Sequence, residues 1–130
     1  MNLTKYSGYA LFFTGVLHTM IGLILGWPTL LEMHDSGWFS ATITNGEMNF
    51  KREAIIWFLL TGAFWITFGH ALQTMIKQGL KVPPQLGWSF IFLGSVAAYI
   101  MPVSGAYLFI IQGGLIVLSR SKTPQTSTAI

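Results

Sequence analysis

YSGYALFFTGVLHTMIGLILGW, residues Tyr6–Trp27, is a run of twenty-two residues without one Asp, Glu, Lys or Arg. At ~1.5 Å of rise per helical residue it covers roughly 33 Å, close to the ~30 Å hydrocarbon core of a bilayer. It reads as a membrane-spanning helix. A cleaved secretory signal shares the Lys5 lead, but its apolar core is only about 7–15 residues and ends at a small-x-small site. This run passes instead into Gly26-Trp27-Pro28, so a retained first helix is expected.

The composition agrees with that reading. The 130 residues are 52% hydrophobic and 8% charged, where a soluble domain carries about 25% charged residues. Lipid must be the solvent for most of the surface. A net charge of +3 and a pI near 9.5 do not point to nucleic acid, because the few basic residues flank apolar runs and read as topology signals. With no cysteine there is no disulfide, thiolate ligand or thiol nucleophile.

Moving outward, Pro28 to Glu53 reads as a long outer loop: a short helix from Thr29 to Ser36 stopped by Gly37, interfacial Trp38 and Phe39, and a turn at Asn45-Gly46. A second span follows at Ala54–Ile76, ended by Lys77, Gly79 and the pair Pro83-Pro84. Leu86–Leu118 then holds no charged residue and no histidine, and is too long for a single crossing. Met101-Pro102-Val103-Ser104-Gly105 divides it into helices of about Leu86–Met101 and Val103–Ser119. The expected fold is thus an all-α, integral membrane, four-transmembrane-helix bundle in one domain over 1–118, with a disordered tail over 119–130 rich in Ser and Thr. Lys5, Lys77, Lys81, Arg120 and Lys122 then share one side, which the positive-inside rule makes cytoplasmic along with both termini of a multi-pass cell-membrane protein.

Small residues recur every seven positions: Gly8, Gly15 and Gly22; Gly62 and Gly69; Gly87 and Gly94; Gly105, with Gln112 and Ser119 beyond it. Such stripes let helix backbones approach closely in lipid, where packing replaces the hydrophobic effect. His18 falls on the first stripe, one turn from Thr14, at a depth of ~18 Å, and Gln112 lies ~14 Å in from the opposite end. The two therefore share the midplane and suit a mutual hydrogen bond. His70 is ~9 Å deep. A bis-histidine haem site from His18 and His70 would have to close that depth gap.

Trp57, Phe64, Trp65, Tyr99 and Phe109 are candidate walls of a cavity whose polar contacts are His18, His70 and Gln112. On the outer side Glu32, His34, Asp35 and Glu47 are the only candidates for a cation site, at a spacing that fits no recognised motif. No G-x-S-x-G nucleophile elbow occurs, and no acid lies within a span as proton coupling would require.

The segments GVLHTMIGLILGWP, AIIWFLLTGAFWITFG and LGWSFIFLGSVAAYIMPVSGAYLFIIQGGL resemble a family of small, mostly bacterial four-helix membrane proteins of unknown function. The resemblance covers about Tyr6–Leu118, with His18, Gly87-Trp88 and the Met101–Gly105 turn as its most particular pieces. It implies architecture and carries no activity. A more distant likeness to DoxX-like proteins, and to the sterol isomerase and sigma-2 receptor group, rests on helix count and a polar pocket. The leading functional expectation is a non-enzymatic protein, in contact with membrane lipids, that holds a lipid-like or aromatic small molecule between its helices. A small homodimeric transporter, and a membrane enzyme or haem protein using His18 and His70, are the alternatives.

Overall fold

The first helix is longer than expected. In the computed structural model, which describes residues 3–119, a 3₁₀ turn at Leu3–Tyr6 leads into α1, Ser7–Asp35. A small hairpin of β1 (Ile43–Thr44) and β2 (Glu47–Met48) follows, then α2 (Phe50–Lys77), α3 (Pro84–Ile100) and α4 (Tyr107–Ser119). Among the described residues the chain is all-α, with four helices. Two of them, α1 and α2, are long and apolar enough to cross a membrane. Their most apolar windows are only 22% and 17% buried, whereas the core helix of a soluble protein would be mostly covered. The segment read as a disordered tail lies, but for Ser119, outside the described residues.

Pro28 does not end α1. It has no N–H to give the carbonyl one turn back, a local loss of ~3 kcal/mol in a helix interior. The turns around it are clamped by packing: Gly26 lies against Ile55 of α2, and Thr29 and Met33 are buried. Tertiary contact outweighs the local preference, and the separate helix expected after Pro28 becomes the last two turns of α1. The helix stops at Gly37, which takes φ +75° while its N–H donates to the carbonyl of His34 (3.1 Å). That left-handed position suits glycine.

The expected outer loop shrinks to the connector between α1 and α2. Asn45 and Gly46 have φ of 54° and 81°, the two positive values a type I′ hairpin turn requires, and they join β1 to β2 with Thr44 opposite Glu47. Arg52 fastens this connector. Its Nη1 donates to Ala41 O (2.9 Å) and Ser36 Oγ (3.2 Å), and Glu32 pairs with Lys51 (3.5 Å). Asn49 caps α2 by accepting from Arg52 N at 3.2 Å. At its other end α2 closes in a Schellman motif, Gly79 N to Ile76 O and Leu80 N to Met75 O, both 3.0 Å.

α1 and α2 pack antiparallel along their glycines. A Cβ on Gly15 would stand 2.7 Å from Ile66 N and 2.9 Å from Gly62 O, both backbone atoms. The same holds for Gly69, 2.8 Å from Phe12 Cα, so the interface tolerates only hydrogen at these positions. α3 and α4 form a second such pair through Gly87, Gly94 and Gly113. Here the stripe expected on the last helix is corrected. Gly113 makes the close approach, with its added Cβ 2.6 Å from Ile91 Cγ1, while Gly105 lies in the turn and Gln112 faces the other helix pair.

The turn itself is wider than the sequence suggests. After Pro102 interrupts the helix, Ser104 Oγ donates to Met101 O (2.7 Å) and accepts from Ala106 N (3.3 Å), so α4 begins at Tyr107 rather than Val103. At ~1.5 Å per residue α3 rises roughly 26 Å and α4 only roughly 20 Å.

The two helix pairs meet at one end. Leu11, Leu72 and Ile116 form the buried core there, flanked by Trp65, Ile76, Val82, Leu86 and Phe109. Two buried amides tie the junction. Gln73 accepts from Tyr9 N (3.1 Å), an otherwise unpaired donor of α1's first turn, and gives its Nε2–H to Lys5 O (2.9 Å). Gln112 donates to Ser7 O (2.8 Å). Away from this junction the pairs separate.

Candidate functional site

The separation leaves a pocket of about 540 Å³ between α1, α2 and the α3–α4 turn. α1 contributes Thr14, Leu17, His18, Ile21 and Leu25, spaced as one face of a helix. That face lies beside the glycine face, so packing on α2 presents it to the pocket. Phe58 and Trp65 come from α2, Phe109 from α4, and Met101 to Ala106 close the far side, apart from Pro102. The size falls within the ~300–1,000 Å³ range of small-molecule sites.

His18 is the most constrained side chain in the wall. Its ring stacks on Phe58 with centroids 3.7 Å apart and planes at 14°, and Trp65 tilts against it at 4.6 Å. Trp65 in turn meets Phe109 edge to face at 4.3 Å, which links the imidazole to the other helix pair. His18 Nε2 lies 3.1 Å from the carbonyl oxygen of Phe58. A carbonyl only accepts, so Nε2 carries the proton and the neutral ring keeps Nδ1 as an acceptor. Gly62 makes room for this arrangement: a Cβ there would press on the Thr19 hydroxyl and stand 3.3 Å from His18 Cδ2.

The expected partners of His18 are elsewhere. Gln112 sits beside Ser7 at the junction, about eleven residues or roughly 16 Å along α1 from His18. The depth count placed it too far out because it set the start of α4 level with the far end of α1, whereas the bond from Gln112 to Ser7 seats α4 toward the first turn of α1. His70 is exposed, on α2 about two turns past Gly62, roughly 12 Å along the axis from the level of His18. The geometry thus brings no second histidine to His18 for a bis-histidine haem. Of the proposed aromatic walls, Trp65 and Phe109 line the pocket. Trp57, Phe64 and Tyr99 do not, and they are 58%, 63% and 88% exposed on outward faces.

The profile of DUF6463, a family of unknown function, matches residues 2–123, nearly the whole chain. The chain belongs to DUF6463. No curated protein and no solved structure matches it. Its likeness to DoxX-like proteins therefore stays at helix count alone.

For this DUF6463 member the chemistry of the wall is narrow. His18 is the one titratable side chain among the described lining residues, with the Thr14 and Ser104 hydroxyls and the Trp65 indole N–H as the other polar side-chain groups. The bond from Nε2–H to the Phe58 carbonyl fixes the tautomer and orientation of the His18 ring. Around the connector between α1 and α2, Glu32, His34, Asp35 and Glu47 do not gather. Glu32 turns to Lys51 and Arg52, and the described residues hold no cluster of three metal-ligating side chains. Phe58 and Ser104 are wall residues that sequence reasoning missed. Phe58 acts through its carbonyl, which carries no sequence signature, whereas Ser104 lies in the turn already marked by Pro102.

Proposed function

We propose that this protein is embedded in the cell membrane and holds a neutral, lipid-like or aromatic small molecule between its two helix pairs. The observation that carries the reading is the pocket of about 540 Å³, lined mainly by apolar side chains, with His18, Thr14, Ser104 and the Trp65 indole N–H as its polar side-chain groups. An apolar occupant would gain the burial that water cannot supply there.

The membrane placement draws on register. The charge-free windows Tyr6–Trp27 and Ala54–Ile76 pack antiparallel, with Gly8 against Gln73 at one end and Gly26 against Ile55 at the other. Their ends thus fall on two common planes roughly 33 Å apart. Lys5 and Lys77 mark one plane, and Glu32, Lys51, Arg52 and Glu53 mark the other. Positive-inside bias assigns the Lys5 side, and both termini, to the cytoplasm.

Instead of two further full crossings, α3 and α4 enter from that side as a short hairpin, because neither reaches ~30 Å. Their turn then ends inside the hydrocarbon layer. Irregular backbone is tolerated at such depth where it lines a cavity, and Met101 to Ala106 line this one, apart from Pro102.

The test is a native mass spectrum of the full chain released in mild detergent, with an absorption spectrum of the same sample. A stoichiometric adduct lost in a His18→Leu variant of unchanged fold is the expected result. A bare polypeptide, or an adduct retained unchanged by His18→Leu, would refute the reading.

A further inference from the structure

The pocket is closed at one end and open at the other. At the closed end His18 stacks on Phe58 at 3.7 Å and Trp65 meets Phe109 at 4.3 Å. Along α1 the exposure of the lining residues then rises, from half-buried Thr14 and His18 through Ile21 at 40% to Leu25 at 75%, and Val103 across the gap is 99% exposed. The α3–α4 hairpin is too short to cover the last turns of the charge-free run on α1. The pocket is thus a groove that opens sideways toward the connector end.

Charged residues continue the groove beyond its mouth. Thr14, His18, Ile21 and Leu25 share one face of α1, and Glu32, seven residues past Leu25, falls on the same face. On α2, Lys51 precedes Phe58 by seven residues and Trp65 by fourteen, so it stands over the same gap. Glu32 and Lys51 meet across the two helices at 3.5 Å, both well exposed. Glu32 lies five residues beyond Trp27, roughly 7 Å past the end of the charge-free run, within the ~5–8 Å depth of a headgroup layer. His18 lies nine residues inward of Trp27, roughly 14 Å, about the hydrocarbon depth of one leaflet.

We infer that the occupant is a zwitterionic phospholipid of the outer leaflet, with one acyl chain laid along the groove to His18, its phosphate at the Lys51 ammonium and its own ammonium beside Glu32. The inference rests on the pocket reading and membrane placement above and adds the class and pose of the ligand. The polar groups of the wall do not choose a ligand, because Nδ1 of His18 accepts while the Trp65 indole N–H can donate. The choice comes from register and charge. An exposed ion pair contributes little, so Lys51 can leave Glu32 for a phosphate. Glu32 is not stranded by this, since Arg52 Nε stands 4.0 Å from its other oxygen and has no hydrogen-bond partner of its own. A lipid of the opposite leaflet would meet the closed end, behind the core of Leu11, Leu72 and Ile116.

Native mass spectrometry of the full chain in mild detergent, titrated with dimyristoylphosphatidylethanolamine or with dimyristoylglycerol, tests this. The two probes share their chains and differ in the headgroup. One phospholipid should bind per chain, about tenfold more tightly than the diacylglycerol, the scale of one hydrogen bond to a charged group. Dimyristoylphosphatidylglycerol, which keeps the phosphate and lacks the ammonium, should fall between them. Lys51→Gln should abolish the preference, Lys51→Arg should keep it, and Lys77→Gln at the opposite plane should leave it unchanged. Ile21→Trp, which fills the groove below its mouth, should weaken every probe.

Equal binding of phospholipid and diacylglycerol, both weakened by Ile21→Trp, would overturn the headgroup assignment while leaving the pocket reading intact. A preference that survives Lys51→Gln, or is lost in Lys77→Gln, would place the headgroup elsewhere and overturn the pose. Phosphatidylglycerol binding as tightly as phosphatidylethanolamine would overturn the role of Glu32. Lipid binding that Ile21→Trp leaves unchanged would put the lipid outside the groove and overturn the inference. Binding of no probe by a chain that keeps some other adduct would overturn the phospholipid and spare the pocket, whereas a chain with no adduct of any kind would overturn both.

Discussion

Replacing Gly15 by Ala tests how tightly the fold depends on the α1–α2 approach, and Gly114→Ala is its control. A Cβ on Gly15 would meet Ile66 N at 2.7 Å and Gly62 O at 2.9 Å, and backbone on both sides cannot rotate away. Restoring ordinary contact requires the helices to part locally by about 0.7 Å, and gaps of that size forfeit a quarter to a half of the dispersion attraction across them. Overpacking of this kind costs about 1–3 kcal/mol, against which the helix propensity of Ala returns up to ~1 kcal/mol. The net expectation is a loss of ~1–2 kcal/mol.

Gly114 faces open space, with nothing within 4 Å of an added Cβ, so the same substitution there keeps only the propensity gain. The two variants should differ by ~2 kcal/mol, roughly thirtyfold in the unfolding equilibrium. Reversible unfolding in mixed micelles, followed by near-ultraviolet circular dichroism, measures it. Because Gly62 O lies one turn from Phe58 O, Gly15→Ala should also weaken binding at His18. Equal stability of the two variants would refute the claim that the glycine stripe sets the helix spacing.

Other consequences follow from the junction and from the short second pair. Gln112→Leu removes the second donor to Ser7 O, which keeps its helical bond from Leu11 N, so one tertiary hydrogen bond is lost. It should cost about 0.5–1.5 kcal/mol and raise amide hydrogen exchange in α4 and the first turn of α1, with little change in the connector. Single cysteines introduced into this cysteine-free chain report topology through a membrane-impermeant maleimide. Thr44→Cys should label from the outside and Leu80→Cys from the cytoplasmic side, while Val103→Cys should resist label from both. Labelling of Val103→Cys from outside would mean that the α3–α4 hairpin completes its crossing.

The candidate site was only partly legible in the sequence, for reasons that its residues make clear. His18 stood out because an imidazole in an apolar span is rare, and Thr14 stood out by its helical spacing from it. Their partners did not. Gln112 was paired with His18 from an axial count that set the start of α4 level with the far end of α1, and the seating of α4 toward the first turn of α1 brings it to Ser7 instead. Phe64 and Trp65 are neighbours of one chemical type, yet one faces outward and the other stacks on His18.

By itself, the sequence determined that α1 and α2 carry long charge-free runs, that glycines lie on their contact faces, and that turns fall at Gly37, Asn45-Gly46, Gly79 and Pro102. These follow from local chemistry: chain length against bilayer thickness, the absence of a side chain, and the dihedral angles that Gly, Asn and Pro permit. Only the tertiary structure decided that α1 continues through Pro28, that the second helix pair is short and stands apart from the first, and that the gap between them is walled by His18, Trp65 and Phe109. A helix apolar on every side carries no polar stripe to say which face meets its neighbour or how far the two are shifted. Those choices are made by the packing of specific side chains, here the close approach at Gly15 and Gly62 and the buried amides of Gln73 and Gln112.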